Sequence, residues 1–192
     1  MKNTKNFTIF AGVNGAGKST LFYSEEQVDL GVRLNSDELI HAAGLDWKDM
    51  RAQITAGKQL LQMQKECLAK GLSFNQETTL SGATILNAIH KAKELGYQIH
   101  LRYVGVENAK IAKERVERRI ALGGHGVSGG TIERRFVTSK ENFQKVYPLC
   151  DTINIYDNSG VAMVLVASLV NGRLERTSVI CPWVDELIKS LI

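Results

Sequence analysis

The chain has 192 residues, of which 44% are hydrophobic, 23% charged and only two proline, a composition that excludes a disordered or fibrous polymer and supplies one substantial core. No apolar run reaches the roughly 18 residues that a membrane helix requires, and Met1 to Asn6 is too short and polar for a secretory leader, so a cytoplasmic protein without a membrane partner is expected. The net charge of +4 is gathered in "AKERVERRIALGGHGVSGGTIERRF" instead of being spread among aromatics, which suits a compact polyanion better than a nucleic acid, and Cys67, Cys150 and Cys181 lack disulfide or zinc spacing.

The first element is a buried strand over residues 7–11. It runs into Gly12-Val13-Asn14-Gly15-Ala16-Gly17-Lys18-Ser19, followed by Thr20, and this fills every position of the P-loop pattern. Glycines let successive backbone N–H groups turn toward phosphate oxygens, Lys18 adds a charge for the β and γ phosphates, and the Ser19 hydroxyl can ligate Mg²⁺. A helix over 18–27 should open directly from the loop. "GVRLNS" is a second strand leading to Asp37, whose residue type is also favoured as the N-cap of a helix over 38–43.

Met50, Ile54, Leu61 and Leu68 recur at helical spacing between Asp46 and the stop at Gly71. "LSFNQE" reads as a third strand ending near Glu77. Ile85, Ile89 and Ala92 mark a helical face closed by Gly96, and "YQIHLRYVGV" is a fourth strand. Regular βα alternation predicts an α/β fold of the P-loop NTPase kind: a mostly parallel sheet flanked by helices, with ligands at the carboxyl ends of the strands.

Arg115 and Arg119 share a helical stripe beside Ala112, Val116 and Ile120. After the flexible "GGHGVSGG" comes a helix whose Ile132, Phe136 and Phe143 pack inward while Arg135 and Asn142 share another stripe. Together these form an arginine-bearing lid, about residues 108–145, that delivers guanidinium groups to a transferring phosphoryl group as water leaves. "VAMVLVASLV" and "RLERTSVI" flank Asn171-Gly172, which predicts an antiparallel hairpin over about 161–180, before a short helix from Pro182. The whole chain is expected to be one domain, 1–192.

The P-loop alone leaves several activities open. A GTPase would need an Asn-Lys-x-Asp segment, and none exists. "LSGAT", Leu80 to Thr84, imitates part of an ABC ATPase signature, but the matching apolar strand into Asp-Glu is absent, because Pro182 interrupts the run before Asp185-Glu186. A small phosphotransferase fits better, with Asp37 taking the acceptor's proton. Glu77 would face the same crevice and could bond a sugar or ribose hydroxyl.

In order along the chain, "GVNGAGKST", "NSDEL", "NQETTLSG", "ERVERRIALGGHGV", "IERRFVTSKEN" and "IYDNSG" resemble the zeta toxin family of P-loop kinases across about residues 12–160. The resemblance implies transfer of the ATP γ-phosphate to a hydroxyl of a nucleotide sugar such as UDP-N-acetylglucosamine, with ATP and Mg²⁺ as cofactors and a separate antitoxin chain as partner. It implies that Lys18 is the P-loop lysine and Asp37 the catalytic base, which could also hold a metal-bound water. Ser36, Glu77 and Thr78 become acceptor contacts, and Asn158 and Ser159 ATP contacts. Arg115 or Arg119 becomes the first phosphate clamp. The second lies among Arg134, Arg135 and His125, with Arg135 favoured by helical geometry. Short relatives often carry proline after "GGHxV", where this chain has Ser128-Gly129-Gly130, implying a looser lid.

Overall fold

The computed structural model describes residues 4–25, 28–170 and 172–189. A seven-stranded sheet has the order β2-β3-β1-β4-β5-β6-β7. The strands are β1 (Asn6–Ala11), β2 (Val32–Leu34), β3 (Phe74–Thr78), β4 (Gln98–Gly105), β5 (Thr152–Asp157), β6 (Val164–Val170) and β7 (Arg173–Arg176). β1 pairs in parallel with β3 and β4, and β5 continues the parallel set beside β4. β1 is buried from Phe7 onward, as a central strand covered on both faces must be.

The helices are α1 (Lys18–Ser24), α2 (Ser36–Ala42), α3 (Met50–Lys70), α4 (Ala83–Glu94), α5 (Ala109–Ala121), α6 (Gly129–Val146) and α7 (Pro182–Ile188). The main core joins Phe7, Ile9, Phe74, Ile89, Leu101 and Phe143. A second cluster lies under the P-loop and joins Phe10, Val13, Ala16 and Leu21 to Ala112 and Val116 of α5 and Ile132 of α6. The expected lid helices therefore share a core with the loop they face.

Three details differ from the sequence expectations. The N-cap of α2 is Asn35, whose side chain accepts from the Asp37 amide, so Asp37 sits inside the first turn with its carboxylate free of capping. α3 begins only at Met50, capped by Asp49, and buries Ala52, Ala56, Leu60, Gln64 and Cys67, while Met50 and Ile54 are exposed. Ile120 is likewise exposed, whereas Ala112 and Val116 are buried.

The hairpin forms as β6 and β7, antiparallel to each other, with β6 also antiparallel to β5. Gly172 adopts φ 74°, the left-handed conformation its turn demands, and Asn171 lies outside the described residues, as do Glu26 and Gln27 of the expected first helix. Ser128 caps α6 by accepting from the Thr131 amide, which gives the lid an ordered entry where proline was missing. Asp185 and Glu186 lie on α7, not on a strand.

Candidate active site

The P-loop leaves β1 and closes at Lys18, the first residue of α1. Two glycines show why the sequence is so constrained. Gly15 has φ 82°, and a Cβ there would meet the Ala112 carbonyl at 2.5 Å. Gly17 has φ 106°, and its Cβ would meet the Asn158 side-chain nitrogen at 2.3 Å. Loop, lid helix and the segment after β5 are in contact through bare backbone.

Within the loop, Val13 and Ala16 are buried, Asn14 faces the cleft, and Thr20 is exposed on α1. Lys18 is 7% exposed and donates to the Val13 carbonyl at 3.2 Å. Burial holds its pKa below the ordinary lysine value despite the nearby carboxylates of Glu77 and Asp37. Glu77 Oε1 stands 3.8 Å away as its protein counter-ion, and a phosphate in the loop would add a second negative charge beside the ammonium.

Lid and base meet above the loop. His125 Nε2 lies 2.7 Å from Asp37 Oδ2. Burial opposes ionisation of Asp37, but the His125 hydrogen bond and charge, with Lys18 and Arg119, outweigh it and hold the carboxyl below the usual range. Arg119 Nε donates to the His125 carbonyl at 2.7 Å, and Arg135 Nη1 donates to Asn14 Oδ1 at 2.9 Å. Arg115 Nη2 reaches the Gly160 carbonyl at 3.3 Å.

Arg115 Nη1 and Arg119 Nη2 are buried without a hydrogen-bond partner, the two such side-chain atoms among the described residues. A guanidinium cannot discard its protons, and each orphaned donor costs about 1–3 kcal/mol. An anionic oxygen within reach of these donors would remove that cost. The glycine cradle, the buried Lys18 ammonium and these orphaned donors fit a nucleotide triphosphate. The Ser19 hydroxyl and Glu77 carboxylate fit a hard divalent cation.

A cleft of about 540 Å³ opens beside these groups. Its lining combines the polar Lys18, Asp37, Glu77, His125 and Arg135 with the apolar Trp47, Leu60, Leu61 and Ile85. Ser36 and Thr78 lie on its wall. Thr78 also accepts from the Leu80 amide, supporting a turn in which Leu80 is held at φ 56° and its carbonyl accepts from the buried Asn142.

Asn158 and Ser159 lie in the segment after β5, where Asn158 meets the loop. Asn158 Nδ2 donates to the Ala16 carbonyl at 2.7 Å, tying the loop from below. Ser159 Oγ accepts from the Glu107 amide at 2.8 Å and donates to Asp157, so its hydroxyl is engaged within the turn. Arg134 is exposed on α6, away from these contacts.

Sequence reasoning missed Arg33 and Asn35, which both bond Glu77. The available signal was "RLNSDE", where alternation on a short strand puts Arg33 and Asn35 on one face. It also missed Trp183, whose Nε1 donates to Asp157 Oδ1 at 2.8 Å. No local pattern could have linked residues so distant in the chain.

A parallel sheet of this order with a P-loop after β1 and an arginine-bearing helical pair over it is the P-loop kinase-like fold. The chain belongs to the zeta toxin family, whose family model matches residues 2–168. An uncharacterized protein of Haemophilus influenzae is 31% identical over 129 residues, covering 67% of this chain and 90% of that protein. The AvrRxo1-ORF1:-ORF2 complex with ATP superposes with a TM-score of 0.71 at 14% identity, covering 99% of this chain and 64% of the other. This chain thus spans less than two thirds of that relative. A structure of the PezAT chromosomal toxin-antitoxin system of Streptococcus pneumoniae matches with a TM-score of 0.60 at 18% identity, covering 85% of this chain and 72% of that one. At such identities the likeness concerns the fold. No helix among the described residues is long and apolar enough to cross a membrane.

Proposed function

We propose that the chain is an ATP- and Mg²⁺-dependent small-molecule kinase that phosphorylates a hydroxyl of a nucleotide sugar such as UDP-N-acetylglucosamine, and that a separate antitoxin chain restrains it. The observation that carries the reading is the Asp37 carboxylate standing in one cleft with Lys18 and Arg135, while Arg115 and Arg119 of α5 carry orphaned N–H groups. Family membership supports it, as does the toxin-antitoxin assembly named for the structural relative from Streptococcus pneumoniae.

The roles follow from position. The loop amides from Gly12 to Ser19 and Lys18 would hold the phosphates, with Ser19 toward the metal, and the bound nucleotide supplies the transferable phosphoryl group. Asp37 Oδ2 is occupied by His125, which leaves Oδ1 to accept the acceptor's proton. Ser36 and Thr78 contact the acceptor. Arg115, Arg119 and Arg135 offset charge on the transferring group, which in related chemistry is worth roughly 10³ to 10⁵ in rate for one arginine. Asn158 and Ser159 shape the nucleotide site from below.

Phosphorus NMR of the protein with ATP, Mg²⁺ and a panel of UDP-sugars, nucleosides and dinucleotides tests the reading. A new phosphomonoester on one acceptor is expected. ADP and free phosphate whatever acceptor is added would mark a hydrolase instead. Asp37→Asn should bind ATP as before yet lose transfer by about 10² to 10⁴, the contribution of general-base assistance.

A further inference from the structure

Glu77 resembles an acceptor-binding carboxylate by sequence, but its surroundings argue otherwise. β3 lies directly beside β1 in parallel register, with Glu77 opposite Phe10, so the side chain leaves the sheet next to the strand that feeds the P-loop. It is 11% exposed. Ser19 Oγ donates to its two oxygens at 2.9 and 3.1 Å, and Lys18 Nζ stands 3.8 Å from Oε1. From the other side, Arg33 Nη2 and Asn35 Nδ2 donate to Oε2 at 2.8 and 3.1 Å.

A carboxylate offers about four lone-pair directions. Oε2 receives Arg33, Asn35 and the longer Ser19 contact, and Oε1 receives the shorter Ser19 contact beside Lys18. Little remains for an acceptor hydroxyl. A divalent cation held by the Ser19 hydroxyl would instead find an anchored, negatively charged oxygen within one water's reach, and such cations prefer oxygen ligands and keep several waters. We propose that Glu77 serves the nucleotide's metal ion, by orienting metal-bound water beside Ser19, and does not bind the acceptor. Arg33 and Asn35 are positioning residues that hold Oε2 so that Oε1 faces the loop.

This proposal rests on the kinase reading, and the test separates the two. The full chain is titrated with ADP in the presence of chelator by calorimetry, and then with Mn²⁺ and ADP while free Mn²⁺ is read by electron paramagnetic resonance. Glu77→Gln should leave metal-free ADP affinity within about twofold while weakening Mn²⁺ retention in the ternary complex about 10- to 100-fold, the usual cost of losing an outer-sphere partner. In a Ser19→Ala background the same substitution should cost little more. Should Glu77→Gln fail to melt as wild type, Glu77→Asp carries the test, since a carboxylate withdrawn by one methylene should also lose Mn²⁺ several-fold. Wild-type Mn²⁺ retention in a folded Glu77 variant overturns the proposal alone. Failure of the wild-type chain to bind ADP overturns the kinase reading and this proposal with it.

Discussion

Lys18, Arg115 and Arg119 are cations withdrawn from water to different extents: Lys18 has only Glu77 at 3.8 Å as a close counter-ion, and Arg115 and Arg119 each keep a buried N–H without a partner. Lys18→Ala should weaken Mg-ATP binding and abolish transfer, because the phosphates lose their one buried ammonium; calorimetry showing unchanged affinity with normal turnover would remove the loop from catalysis. Arg115→Ala and Arg119→Ala should act chiefly on kcat, since their orphaned N–H groups await charge that grows during transfer. Wild-type turnover in both variants would make the pair a scaffold for the lid. Asp37 adds a pH dependence. Its carboxyl lies below the ordinary 3.8, so the base stays ionised from neutral pH down past that value and transfer should fall only below it. With a depressed folded pKa, its contribution to stability is present above the unfolded value and lost as pH falls through the folded one. His125→Ala removes the hydrogen bond that most depresses the carboxyl, so the acid limb of the rate profile should move upward. An unmoved limb would uncouple the lid histidine from the base.

At the level of elements, α2 depends on a residue that the sequence pattern did not favour. Asn35 caps it while its amide nitrogen bonds Glu38 and Glu77, so Asn35→Ala should cost at least the usual ~1 kcal/mol of a lost cap. Asp37→Asn keeps the cap and gives up only the ionised carboxylate's pairing with half-exposed His125, so its cost should be the smaller of the two. Urea unfolding of the two variants orders them, and a larger loss in Asp37→Asn would return the capping role to Asp37. Both Asn35 and Asp37 are plausible caps by residue type, and only the turn at which the helix starts decides between them. α3 misleads for a different reason. Hydrophobic spacing ranks Met50 and Ile54 above Ala52 and Ala56, yet the small residues are the ones packed inward. The buried face even carries Gln64, satisfied by Gln76 at 2.7 Å across the gap to β3. A polar pair of this kind cannot be seen by any periodicity of apolar residues. α4 shows the opposite case: Ile85, Ile89 and Ala92 are all buried, as their spacing indicates, because they join the main core with residues of the sheet and of α6.

Across the whole molecule, the βα alternation along the chain and the phosphate loop were legible because each is written in contiguous residues. What encloses the loop was not, because it is assembled from three distant parts of the chain. α5 lies against Gly15, Asn158 holds the Ala16 carbonyl, and α7 reaches Asp157, one residue before Asn158, through Trp183. Trp183 is 6% exposed, and its ring lies against Gly105 so closely that an added Cβ would approach it to 2.3 Å. The C-terminal helix thus wedges the end of β4 and steadies the turn on which the loop rests. Trp183→Phe keeps most of the ring and deletes one N–H, so Asp157 loses a hydrogen bond of the charged kind, worth about 1.5–3 kcal/mol. Trp183→Ala also opens a cavity and should cost about 3–5 kcal/mol. If α7 acts only as core, the two variants differ in melting temperature and bind nucleotide alike. If it supports the loop, Trp183→Phe, though well folded, should bind ADP several-fold more weakly, because the turn bearing Asn158 gains freedom that binding must remove. Asn158→Ala should bind as weakly as the double variant, since both act through one contact with the Ala16 carbonyl. Calorimetry on the folded single and double variants decides, and an unchanged ADP affinity in Trp183→Phe would confine the C-terminal helix to stability.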